Sequence, residues 1–265
     1  MPGSATAAVL DSLARRAPTD VPVALVVAHP DDEIIAAGAS LHLLMNLLLV
    51  HVTDGAPRGL GDAARAGFDS PAAYAEARQA ELAAALRLAR CRAGREALRI
   101  PDQDASLHMP AVSRYLAALF RQRGTQVVIT HAYEGGHPDH DATALAVHAA
   151  APGGVVEFAG YHADTDGSFV AGSFLPGPGL TTDIELSAVE QALKRSMFGC
   201  FPTQARILAE FGTTWERFRP ASPDFRAPPH HGTLNYEHWG WGMTGVRWRT
   251  LAAAALAELE APCAA

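Results

Sequence analysis

Short apolar runs rich in β-branched residues punctuate the chain, and they constrain its fold more than any other feature. Val-Ala-Leu-Val-Val-Ala occupies 23–28, and similar runs lie at 47–53, 126–131 and 155–161. Runs this short, with little polar alternation, read as strands buried on both faces, the kind found in parallel sheets. Residues 98–100 make a weaker strand. Between them, helical character is expected over 32–46, over 71–93 with Arg78, Glu81, Leu82 and Leu86, over 110–123 with Pro110 in the first turn, and over 141–151. Strand and helix alternating at this spacing predict βαβ units, hence an α/β fold with a mainly parallel sheet. Residues 56–71 and 164–179 are rich in Gly, Asp, Ser or Pro, so the first reads as a loop and the second as a loop or hairpin. A helix is expected at 187–198, an irregular aromatic- and His-rich segment at 218–245, and a terminal helix at 246–260. The 265 residues suit one domain. Its core is expected at about 20–205, with 206–265 as a C-terminal extension packing on it.

Several function classes are excluded at this level. The net charge of −7 gives no electrostatic case for nucleic acid or for an anionic membrane surface. The longest apolar stretch, 41–52, contains His42, Asn46 and His51 and falls short of the ~20 residues of a membrane span. The N-terminus does not read as a signal peptide. Three scattered cysteines, Cys91, Cys200 and Cys263, form no disulfide framework and fit a reducing cytoplasm.

The chemistry concentrates in two short motifs. His-Pro-Asp-Asp-Glu at 29–33 follows the first strand and opens a helix. Ligands of open parallel sheets bind at the carboxyl ends of strands, so the position alone marks a candidate site. Positions 29 and 32 share one side of a turn, which lets His29 and Asp32 hold one ion while Asp31 aims at a water on it. His-Pro-Asp-His at 137–140 follows the strand at 126–131 and opens another helix, after Gly135 and Gly136. Alone, the Asp pair would read as helix caps and each His as an ordinary side chain; the repeat at two strand ends makes a shared crevice the better reading. Three protein ligands with one open position define a catalytic zinc site, and His29, Asp32 and His140 supply them. Asp31 is then the general base and His137 an acid or oxyanion stabiliser, with Asp139 holding His137 in one tautomer. These are the parts of metal-assisted amide hydrolysis.

The two motifs together resemble the LmbE-like family, also called the PIG-L deacetylases, over about residues 23–204. The resemblance implies a Rossmann-like α/β/α domain, one zinc ion, and removal of acetyl from N-acetylglucosamine units. It carries the metal ligands onto His29, Asp32 and His140, the base onto Asp31, and the second catalytic His onto His137. Arg78-x-x-Glu81-Leu82 resembles the helix whose Arg contacts the sugar, and Ile100-Pro-Asp102 the place where an Asp holds a sugar hydroxyl. One departure stands out: the mycothiol enzyme has an active-site Tyr two residues before its second motif, and Gly135 stands there here. The segment 232–242, with Trp239 and Trp241, matches nothing in the family; its aromatics could stack on a sugar, cover the site, or simply pack. His230, His231 and His238 read as surface residues rather than further ligands.

The expected partner is a small N-acylated amino sugar or its conjugate, with no nucleic acid and no membrane insertion; a homo-oligomer stays open. Zn2+ is expected, although Fe2+ or another divalent ion suits the same donors. Rival readings are a deacylase of a non-sugar amide, a non-haem Fe(II) oxygenase using the same two-His-one-carboxylate set, and a silent metal-binding module.

Overall fold

The computed structural model describes residues 3–164, 166–177, 179–220 and 223–261; Cys263 lies outside them. In chain order the elements are α1 (Ser4–Ala14), β1 (Val23–Val27), α2 (Asp32–Ala37), β2 (Leu47–Pro57), α3 (Leu60–Arg65), α4 (Pro71–Leu88) and β3 (Gly94–Asp102). Then follow α5 (Met109–Arg123), β4 (Val127–His131), α6 (Pro138–Ala150), β5 (Gly154–Phe158), β6 (Tyr161–Ala163), β7 (Phe169–Ala171) and β8 (Thr182–Glu185). The chain continues with α7 (Ala188–Phe198), α8 (Ala205–Leu208), β9 (Trp215–Pro220), α9 (Asn235–His238) and α10 (Gly245–Glu260).

Seven strands form one sheet in the order β3-β2-β1-β4-β5-β9-β8. The first five are parallel, and β9 runs antiparallel to both β5 and β8. Alternate residues of β1 point to opposite faces. Val23, Leu25 and Val27 join a core with α1, α2, α4 and α7, where Leu13, Leu82 and Met197 are buried. Ala24 and Val26 join a second core with α5, α6 and α10, where Phe120, Leu145 and Trp248 are buried. Helices on both faces make the expected three-layer α/β/α arrangement. Strand order reverses between β1 and β4, and their carboxyl ends carry the two His-Pro-Asp motifs.

Local signals explain most boundaries. Ser70 caps α4 with Pro71 behind it, Gly124 closes α5 in the left-handed conformation, and Ser187 and Glu190 form a capping box on α7. Three expectations differ. The helix expected over 32–46 stops at Ala37, because the Ala39 N–H leaves the helical ladder to donate to Glu216 Oε1 (2.8 Å). The segment 56–71 is not all loop, since it contains the end of β2 and α3. The region beyond 205 does more than pack on the core, because β9 lies inside the sheet. Among the described residues no helix is long and apolar enough to cross a membrane.

Candidate metal centre and active site

The first motif leaves β1 in a strained conformation. Asp31 sits at φ 135°, where only Gly is comfortable. Four contacts impose that geometry. The Asp31 N–H donates to Glu33 Oε2 (3.2 Å), itself 3.1 Å from His51 Nε2. Arg78, buried on α4, donates to Asp31 Oδ2 (2.9 Å), to the Pro30 carbonyl (2.8 Å) and to the Gly55 carbonyl (2.7 Å). Gly55 has to be glycine: it has φ +72°, and a Cβ there would lie 2.4 Å from Arg78 Nη1. Burial pushes the Asp31 carboxyl up to about 8, against the pull of the Arg78 charge.

The three expected ligands converge. His29 Nδ1 is 3.2 Å from His140 Nε2 and 3.4 Å from an Asp32 oxygen, and His140 Nε2 is 3.3 Å from the other Asp32 oxygen. Donors held at ~2.0–2.2 Å from one ion stand roughly 3.3–3.6 Å apart, and these spacings are of that order, with the two Asp32 contacts on different oxygens. The clusters of metal-capable donors among the described residues are His29, His137 and His140, then His29, Asp102, His137 and Asp139, and then Asp32, His131 and His140. Two imidazole lone pairs 3.2 Å apart also repel unless a cation or proton lies between them. The electrostatics agree. Burial opposes charge on His29, yet Asp102, Asp139 and Asp32 outweigh it and hold its pKa well above the ordinary imidazole value. Burial likewise opposes charge on Asp32, but His140 and His131 keep it well below the usual carboxylate range. The pocket is therefore arranged to hold a positive charge against an ionised carboxylate, which fits a divalent ion.

The second motif opens α6, with His137 as its N-cap. His137 Nδ1 accepts the Asp139 N–H (3.0 Å), so its lone pair is used and the ring proton sits on Nε2. Burial first, and then the His29 charge, keep its pKa well below that of a free imidazole. His137 is thus a neutral N–H donor. Asp139 meets His137 through its backbone N–H, which fixes the tautomer, while its carboxylate makes no hydrogen bond to that ring. Its carboxylate accepts the Gln103 (2.6 Å) and Ala105 (3.0 Å) N–H groups and faces His29 Nε2 at 3.3 Å. Asp102 stands beside His137 instead, 3.5 Å from its Nε2 and 3.1 Å from His29 Nε2. Burial favours a neutral Asp102, but His29 prevails and keeps it ionised. Among the described residues, no cluster of metal-capable donors includes His230, His231 or His238.

Three contributors were not singled out from sequence. His131, the last residue of β4, accepts the Ala28 N–H (2.9 Å), stands 3.4 Å from Asp32 and stacks on His140 at 4.0 Å. Its place at a strand end next to the second motif was a usable signal. The buried Glu33–His51 pair props Asp31 from behind. Tyr161 on β6 sets its ring 5.1 Å from His140; nothing in the sequence around it pointed to the site. The C-terminal segment braces the same loop. The Asn235 N–H donates to the Gly135 carbonyl (2.9 Å), Asn235 Nδ2 to Gly136 (3.2 Å), and Trp248 Nε1 to Pro138 (3.1 Å).

The family described as GlcNAc-PI de-N-acetylase, PIG-L, matches residues 24–151, which contain both motifs. No curated protein sequence matches the chain. Solved structures share the fold. The A40926 pseudoaglycone deacetylase superposes with TM-score 0.59 at 19% identity, covering 77% of this chain and 100% of that one. A zinc-inhibited form of teicoplanin deacetylase gives 0.54 at 17%, covering 74% and 97%. The 4-carboxy-2-hydroxymuconate hydratase of Pseudomonas putida gives 0.50 at 17%, covering 77% and 98%. The likenesses establish the fold, and the fold carries more than one chemistry.

Proposed function

We propose that this chain, whose residues 24–151 match the PIG-L family, is a metal-dependent hydrolase that removes an N-acyl group, ordinarily acetyl, from an amino sugar or sugar conjugate. One observation supports the reading: His29, Asp32 and His140 lie 3.2–3.4 Å from one another beside Asp31, a strained and buried carboxylate. His29, Asp32 and His140 would hold a divalent ion, zinc by preference, which would supply polarisation of the amide carbonyl and a more acidic water.

The chain's own residues supply the rest. Asp31 accepts the proton of the attacking water, and a proton affinity raised by burial suits it to that task. Arg78 and Glu33 keep Asp31 aimed; with both terminal nitrogens committed inside the protein, Arg78 acts on substrate through Asp31. The water oxygen bonds to the carbonyl carbon. The His137 Nε2–H donates to the carbonyl oxygen as negative charge builds there. The Tyr161 ring, 5.1 Å from His140, borders the same site. As the C–N bond breaks, the proton held by Asp31 passes to the leaving nitrogen, the second water proton follows to the amine or to solvent, and a carboxylate and the amine depart. Asp102 holds His29 and His137 in register, and Asp139 ties the second motif to the turn after β3.

The Fe(II) oxygenase reading is disfavoured because those triads ride on all-β barrels, and the silent-module reading because base and donor are both in place. A cytoplasmic location belongs to the same proposal. The test is a screen of zinc-loaded protein against N-acetylglucosamine, its conjugates and simple N-acetyl amines, scored by free amine. Release from the sugars is expected. No release, with hydration of an unsaturated acid instead, would favour the hydratase chemistry.

A further inference from the structure

The second motif is walled by aromatic rings. From His140 the ladder runs to Tyr161 (5.1 Å between centroids), then to Phe169 (5.3 Å) and Trp239 (5.6 Å, planes 25° apart). From His137 it runs to Trp241 (4.5 Å) and again to Trp239 (4.7 Å). The two branches begin on the two histidines of the site and meet on one indole at the surface. Burial falls along them: Tyr161 is 8% exposed and Trp239 40%. Packing alone does not account for this. The same C-terminal segment already has its packing anchors in Tyr236 (1%) and Trp248 (0%), whereas Trp239 keeps its ring in water. The wall carries no charged side chain. It also lies wholly beyond residue 151, outside the matched family segment.

We propose that this wall is a subsite for a second, uncharged ring on the substrate, attached to the N-acylated unit and stacked on Trp239 and Trp241. A partly exposed indole, 40% accessible, suits a flat apolar face, aryl or sugar, while a flexible acyl chain would need enclosure. The segment is firmly seated, since Asn235 ties it to Gly135 and Gly136 just before His137. A ring on Trp239 is therefore held in register with the reacting amide. The proposal rests on the hydrolase reading, and it predicts a preference for conjugates over the free amino sugar.

The test compares zinc-loaded wild type with Trp239→Ala and Trp239→Phe on three substrates: N-acetylglucosamine, its phenyl glycoside, and N-octanoylglucosamine. Circular dichroism checks that each variant is folded. Wild type should favour the phenyl glycoside over the free sugar in kcat/KM. Trp239→Ala should cut that preference about ten-fold, mainly through KM, and Trp239→Phe should restore much of it. An unchanged preference in Trp239→Ala would overturn the proposal, as would a loss confined to the N-octanoyl substrate, which would assign the wall to an acyl chain. If wild type releases amine from none of the three, the hydrolase reading fails. Tryptophan fluorescence then decides the subsite separately: the phenyl glycoside should perturb wild type and not Trp239→Ala, and no perturbation of wild type would overturn it.

Discussion

Asp31 concentrates the residue-scale physics of this chain. A non-glycine residue at φ 135° costs of order 1–3 kcal/mol, and the surroundings must impose it. Arg78 and Glu33 do so, one through the carboxylate and the carbonyl before it, the other through the N–H. Asp31→Asn should lower turnover by at least ~10²-fold while metal content stays at wild-type level; equal turnover would remove Asp31 from the mechanism. Arg78→Met tests the aiming. The Arg78 charge lowers the Asp31 pKa, so its loss raises it, and a base with a higher pKa is deprotonated only at higher pH. The acid limb of the rate profile should move alkaline as kcat falls. At this scale the meeting of His29, Asp31, Asp32 and His140 was legible because both motifs sit at strand ends with the spacing of a shared site. The Asp102 and Asp139 roles were not: which carboxylate meets His137 depends on how the turn after β3 folds over α6, and no local pattern encodes that.

At the scale of elements, the parallel strands could be read because they are buried on both faces and hence continuously apolar. The strand β9 could not. Its inward residue Glu216 is charged and 1% exposed, paired with Lys194 Nζ at 3.0 Å and bonded by the Ala39 N–H and the Ser40 hydroxyl. A buried charge breaks the apolar alternation by which a strand is recognised. The pair joins α7 and β9 to the end of α2, the helix that follows the first motif. Removing one member leaves the other charge buried and uncompensated. Lys194→Met should thus destabilise the fold by about 3–5 kcal/mol, read as a lower urea midpoint, and adding Glu216→Leu should recover part of the loss. The Gly136 turn makes a second element-level prediction. A Cβ there would lie 1.9 Å from the Tyr161 carbonyl oxygen, so Gly136→Ala must displace β6 or the second motif, and should lose both thermal stability and activity.

For the whole molecule, the reversal of strand order between β1 and β4 brings the two motifs to one crevice, and the chain beyond residue 151 closes over it. Glu134 links these parts: it accepts the Leu175 N–H (2.7 Å) and faces Arg219 at 3.2 Å. Burial pushes its carboxyl up to about 7. The folded chain therefore keeps a proton that the unfolded chain releases near pH 4–5. Between there and about pH 7 the folded state binds more protons, so stability falls as pH rises. Glu134→Gln should flatten that part of the profile in urea melts; an unchanged slope would place the charge elsewhere. The account as a whole stands on one ion acting in amide hydrolysis. The most direct measurement titrates zinc into metal-stripped protein while following amine release from an N-acetylglucosamine conjugate. Release should be absent at the start and rise to a plateau at one ion per chain, with His140→Ala remaining silent. Full release from the stripped protein in the presence of chelator would contradict it.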